Sequence, residues 1–123
     1  LCIVLLGMQL EKDLVAASAT PLVLAILAEG ESYGYAILKR VRELSDGDLE
    51  WTDGMLYPLL HRLDRLGYVS NEWRVPPQGR RRKYYALTDA GTAALDEHRR
   101  QWAAVTRTLD GIWHQSRIAP QGA

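Results

Sequence analysis

The chain has 123 residues, 47% hydrophobic and 24% charged, and its 15 Lys and Arg balance its 15 Asp and Glu to a formal net charge of zero. That length suits one domain with just enough core to fold, and no apolar run approaches the ~18 residues that mark a membrane span. A single cysteine, Cys2, excludes an intramolecular disulfide framework and fits a reducing, cytoplasmic setting.

Residues 1–8 begin with LCIVLLG, an apolar stretch without a basic flank and too short for a signal peptide. They read as a leader or the remnant of an upstream extension. A helical pattern over residues 9–28 ends at Glu29-Gly30, and Thr20-Pro21 has the form of an N-cap followed by proline at the first helical position, so a helix begins or kinks there. Ser32 is placed to cap a second helix whose apolar stripe is Ile37, Leu38, Val41 and Leu44. The run SDGD at 45–48 ends it.

A third helix carries Leu56, Leu59, Leu60, Leu63 and Leu66 at helical spacing, all expected to face the core. Tyr57, Pro58, His61, Arg62 and Arg65 fall on its other side, and Gly67 stops it. YVSNEWRV and RKYYALT then read as two strands joined by a turn at Pro76-Pro77-Gln78-Gly79. Thr88 caps a last helix, where Leu95, His98, Trp102, Val105, Leu109 and Ile112 recur at alternating spacings of three and four. A seam this short requires a partner surface. Residues 118–123 are expected to fray.

The zero net charge conceals a partition. Five basic residues (Arg74, Arg80, Arg81, Arg82, Lys83) lie between positions 74 and 83 with no acid among them, whereas Glu43, Asp46, Asp48, Glu50 and Asp53 cluster elsewhere. Three helices followed by a β-hairpin, with a polar, basic face on the third helix, is the order of a winged helix-turn-helix. Such a recognition helix needs side chains that reach base edges and phosphates over an apolar back. On the hairpin, Arg80 and Arg81 are nearest the turn and freest to meet DNA, while either Arg82 or Lys83 lies along the sheet because strand residues alternate. Tyr85, Trp73 and Trp113 read as packing residues. No CxxC, close histidine pair, nucleophilic relay or glycine-rich phosphate loop points to a metal site, a cofactor or an enzyme.

The segments YGYAILKRV (33–41), MLYPLLHRLDRLGYV (55–69), Glu72-Trp73 and GRRRKYYALTDAG (79–91) together resemble the PadR family of bacterial transcriptional regulators, from about Pro21 to Gly91. The resemblance implies a mainly α fold with a small β-hairpin. A winged helix-turn-helix over residues 9–87 would be followed by a long C-terminal dimerisation helix over 88–117, as in the smaller subgroup of the family. It implies a homodimer formed through the first and last helices, bound to a pseudo-palindromic operator in double-stranded DNA and usually repressing. Carried onto this chain, Tyr57, Pro58, His61 and Arg62 would lie on the recognition helix and Arg80, Arg81, Arg82 and Lys83 on the wing. Tyr33, Tyr35 and Lys39 would approach the DNA backbone from the preceding helix. Leu95, His98, Trp102, Val105, Leu109 and Ile112 would form the dimer seam. In some members a tryptophan of the last helix stacks on planar aromatic ligands, and Trp102 stands at the equivalent place, as a ligand platform or as interface packing. A winged-helix module that binds an acidic protein partner is the alternative class.

Overall fold

The computed structural model describes residues 10–116. The expected leader (1–8) and frayed tail (118–123) lie outside the described residues. In chain order the elements are α1 (Lys12–Ala28), β1 (Ser32–Tyr33), α2 (Gly34–Leu44), α3 (Asp53–Arg65), β2 (Val69–Arg74), β3 (Arg82–Leu87) and α4 (Asp89–Ser116).

The leucine spacing of α3 organises the core. Leu56, Leu59, Leu60 and Leu63 are buried against Val23, Leu24 and Leu27 of α1, Ile37 and Val41 of α2, Val69 of β2 and Tyr85 of β3 in one cluster. Each fully buried side chain of this size contributes about 1.5–3 kcal/mol relative to exposure, so the cluster outweighs the solvent-screened ion pairs at the surface. Leu66, expected to continue the stripe, is exposed. It is the C-cap residue, where the chain leaves helical geometry through Gly67 at φ +81°. The Tyr68 amide donates to the Leu63 carbonyl at 2.9 Å and the Gly67 amide to Asp64 at 3.0 Å. Those two bonds close the helix as a Schellman turn, for which glycine at the left-handed position suits best.

α2 ends the same way with a non-glycine. Asp46 takes φ +57°, and the Gly47 and Asp46 amides donate to the carbonyls of Arg42 and Glu43. The turn comes early enough that Leu44, the last expected member of the α2 stripe, is exposed.

In the first half one alternative closes and one expectation changes. Of the two readings of Thr20-Pro21, the helix start is excluded and the longer helix forms, with Pro21 inside α1. The proline deprives the Ala17 carbonyl of its usual donor, a loss offset by burial of Ala19 before it and of Val23, Leu24, Ile26 and Leu27 after it. Ser32 does not cap α2. It pairs with Tyr85 in β1, and Tyr33 in extended backbone occupies the N-cap position.

The hairpin therefore gains a third strand, giving an antiparallel sheet in the order β1-β3-β2. Register pairs Tyr33 with Tyr84, Glu72 with Tyr84, Asn71 with Tyr85, Trp73 with Lys83 and Arg74 with Arg82. The Asn71 amide donates to the Asp64 carboxylate at 2.7 Å, fastening β2 to α3.

Thr88 caps α4 as expected. Its Oγ1 accepts from the Gly91 amide at 3.0 Å and donates to the Gly67 carbonyl at 2.6 Å. A side chain at Gly91 would meet the Tyr68 carbonyl oxygen at 2.0 Å. The end of α3, the start of β2 and the start of α4 thus meet at one point.

Candidate nucleic-acid interface

Successive residues of α3 are rotated by about 100°, so its exposed face divides into two stripes. Tyr57 and His61 turn toward the wing and line a cleft, whereas Pro58, Arg62 and Arg65 lie one step around, exposed to solvent. An Arg62 Nη2 reaches Thr20 Oγ1 of α1 at 3.5 Å, the long limit of a hydrogen bond.

The cleft has a volume of about 530 Å³. Its walls are Tyr33, Gly34 and Tyr35 at the start of α2, Tyr57 and His61 of α3, and Trp73, Arg81, Lys83 and Tyr85 of the wing, with Arg82 at its margin. Among the described residues no carboxylate lines it. Tyr85 closes the floor at 1% exposure, and burial, followed by the neighbouring Tyr57, pushes its hydroxyl above the ordinary phenol range.

Gly34 makes this geometry possible. A Cβ there would stand 2.0 Å from the Tyr57 hydroxyl oxygen and 2.7 Å from the ring carbon that bears it. Tyr57, expected to reach bases, lays its phenol across the first turn of α2 while 37% of its surface stays in solvent. The glycine between two tyrosines in Tyr33-Gly34-Tyr35 was the available signal for this contact.

Strand alternation sorts the wing cations. Lys83 projects to the same face as Trp73 and Tyr85, with its ammonium 5.7 Å and 5.8 Å from their ring centroids. The guanidinium of Arg81 sits 4.4 Å over the Trp73 ring. On the opposite face Arg82 lies 4.4 Å over Tyr33, which meets Tyr84 edge-on at 5.4 Å. Arg80 is exposed beside Gly79, whose φ is +105°.

Arg74 leaves the basic group. Its Nη1 and Nη2 donate to the Glu31 carboxylate at 2.7 Å and 2.8 Å, its Nε donates to Glu72 at 3.1 Å, and it stacks over Tyr84 at 4.6 Å. The bond from Arg74 holds the Glu31 carboxyl below the usual carboxylate range. Arg74 is a strut between the two edge strands, and four cations remain at the wing.

Seven of the expected contact residues converge on this cleft: Tyr33, Tyr35, Tyr57, His61, Arg81, Arg82 and Lys83. Lys39 is exposed on α2 outside it, and Pro58, Arg62 and Arg80 flank it. Trp73, read from sequence as packing, is 52% exposed and carries cations.

A second concavity of about 500 Å³ runs between α1 and α4, lined by Ser18, Pro21, Leu22, Ala25 and Ala28 on one side and Leu95, His98, Arg99 and Trp102 on the other. The expected seam is therefore not uniform. Leu95 is buried in this chain's own core, and His98 and Trp102 line the trough. Val105, Leu109 and Ile112 are exposed further along α4.

Comparison with known proteins bears on this arrangement. Residues 23–97 match the model of the transcriptional regulator PadR-like family. The transcriptional regulator Rv3488 of Mycobacterium tuberculosis is 42% identical over 81 residues, 66% of this chain and 73% of that protein. Among solved structures, a transcriptional regulator from Clostridium thermocellum superposes with a TM-score of 0.76 at 25% identity, covering 83% of this chain and 96% of the other. A PadR-like transcriptional regulator from Bacillus cereus gives 0.72 at 25% identity, covering 82% and 96%. The chain belongs to the PadR-like family of transcriptional regulators. Among the described residues no helix is long and apolar enough to cross a membrane.

Proposed function

We propose that the protein is a homodimeric repressor that places α3 of each subunit in successive major grooves of a pseudo-palindromic operator and lays each wing on the adjacent phosphates. The observation that carries this reading is the carboxylate-free cleft, in which the wing cations and the exposed flank of α3 face a common space. Pro58, His61 and Arg62 supply the groove contacts. Arg62 exchanges its long contact with Thr20 for a base or phosphate. Arg80, Arg81 and Lys83 supply the wing's phosphate contacts, and Tyr35, 65% exposed at the start of α2, adds a hydroxyl donor. Two α3 helices about one turn of DNA apart, or ~34 Å, require a dimer. The exposed apolar residues of distal α4 and the α1–α4 trough are the surface that a second copy covers.

A planar aromatic effector in the trough, stacked on Trp102, would relieve repression by favouring a dimer state with a different spacing of the α3 helices. Among the described residues the trough presents His98 and Arg99 and no carboxylate, which suits neutral or anionic aromatics.

Selection from random duplex DNA tests the reading. The expected result is a motif of two inverted half-sites, bound with a slope of log affinity against log salt of roughly −5 to −7 if each subunit neutralises about 3–4 phosphates. Arg81→Ala should weaken binding to every sequence and make the slope shallower by roughly 2, one phosphate per subunit. Salt-sensitive retention without any enriched motif would favour instead a winged-helix module for an acidic protein partner.

A further inference from the structure

Arginine and lysine side chains on an exposed hairpin ordinarily sample many rotamers, and ordering them on a phosphate costs conformational entropy. The wing of this protein is built so that two of them do not start free. Trp73 stands opposite Lys83 in the β2–β3 register, and the Arg81 guanidinium stacks on the same indole at 4.4 Å. The Lys83 ammonium approaches it at 5.7 Å. The indole contributes little to the core, because half of its surface is in solvent and it does not belong to the buried cluster. Its position is nevertheless specific. It forms one wall of the cleft, on the face shared by Lys83 and Tyr85 and across from Tyr57 and His61.

The remaining wing cations show what this does. Arg82 also lines the cleft but stacks on Tyr33 and not on the indole, Arg80 is exposed at the turn, and Arg74 is tied up by Glu31 and Glu72. Of the positive side chains on β2, β3 and their connection, Arg81 and Lys83 are therefore the two that share one platform, and that platform faces α3. A guanidinium stacked on an indole keeps its in-plane N–H groups free to donate outward, so stacking and phosphate binding are compatible.

We infer that Trp73 is a positioning residue for DNA binding: its indole pre-orders Arg81 and Lys83 toward the strand that crosses between α3 and the wing. This rests on the proposed DNA-binding function and adds to it a residue that touches the phosphate-binding cations rather than the phosphate.

The test is a mutant cycle on the full chain, with a duplex selected by the unmutated protein as probe. Trp73→Leu should weaken binding about fivefold to tenfold, because Arg81 and Lys83 of each subunit would then lose rotamer freedom on binding, and leave the salt slope unchanged because both charges remain. Trp73→Phe should recover most of the affinity. In an Arg81→Ala, Lys83→Ala background, Trp73→Leu should change affinity less than twofold. An equal loss in that background would overturn the assignment, as would full affinity in Trp73→Leu.

A readout without DNA separates this idea from the function beneath it. The Arg81 side-chain Nε–H resonance should be shifted upfield by the indole ring current in the unmutated protein and return to the free-arginine position in Trp73→Leu. An unshifted resonance in the unmutated protein would defeat the stacking outright. Absence of salt-sensitive binding by the unmutated chain would instead defeat the DNA-binding reading, and this role with it, while leaving the resonance shift intact.

Discussion

The wing cleft and the α1–α4 trough have nearly the same volume, about 530 and 500 Å³, and opposite chemistry. The cleft is walled by tyrosines, a tryptophan and cations drawn from α2, α3 and the three-stranded sheet. The trough is floored by small and apolar residues of one helix and edged by four larger side chains of another. A chain of zero net charge thus presents one concavity suited to a polyanion and another suited to apolar surface. Summed charge reports neither of them, because acids that balance the wing lie away from it or are spent on Arg74.

Three perturbations separate the two concavities. The largest effect is expected on the apolar side. Val105→Asp with Leu109→Asp would bring four carboxylates into the proposed subunit contact, and buried charges without partners are costly. Dimer affinity, followed by sedimentation against concentration, should fall by at least about a thousandfold. Far-ultraviolet circular dichroism should stay unchanged, since both residues are exposed in the single chain. A variant that remains dimeric would place the subunit contact elsewhere.

The next acts on the cleft. Gly34→Ala sets a methyl against the Tyr57 phenol and should lower stability by about 1–3 kcal/mol. The same change in a Tyr57→Ala background should cost much less. Equal losses in the two backgrounds would show that the glycine serves the backbone and not the phenol.

The smallest concerns the strut behind the wing. Glu31 has a folded-state pKa below its unfolded value of about 4.3. Its contribution is therefore present above that unfolded value and is lost as pH falls through the lower folded one. Urea midpoints should drop as pH falls below the unfolded glutamate value of about 4.3, and Glu31→Gln should flatten that limb slightly while leaving the trough's partner affinity alone. An identical acid limb in the variant would remove Glu31 from the account.

Much of this was legible in the chain, for reasons that differ by element. Leu56, Leu59, Leu60 and Leu63 fix α3 because a 3.6-residue period admits one buried face. Gly67 and Thr88 mark its end and the start of α4 through local backbone chemistry. Leu66 and Leu44 were misplaced for one reason: each stands at the last turn of its helix, just before the left-handed residue that turns the backbone away, where the stripe has run past the core. Strand β1 was hidden because two residues define no period, and its existence depends on a partner more than fifty positions later. Pro21 reads as a start only if propensity decides, and here burial on both sides decides.

The site was legible as a list and not as an arrangement. Residue types and the hairpin turn pointed to Tyr57, His61 and the arginine run. That Tyr57 would lie against Gly34, Arg74 pair with Glu31, and Leu95 join the chain's own core while lining the trough depended on long-range contacts. Trp73 was misread because exposed tryptophan is uncommon and packing is its usual fate. Its pairing with Lys83 needed the register as well as the strands.

The tie at Thr88 has a mechanical consequence. α4 is about 42 Å long at 1.5 Å per residue. It is pinned at one end, where its cap also grips the last carbonyl turn of α3. With that end as fulcrum, a tilt of about 5° carries the far end through roughly 4 Å. Read in reverse, the same ratio makes a displacement of a few ångströms along distal α4 arrive beside α3 as a small rotation. In the proposed dimer on DNA, α4 would then be a reducing lever, turning coarse movement between subunits into fine adjustment of the angle at which α3 meets a groove.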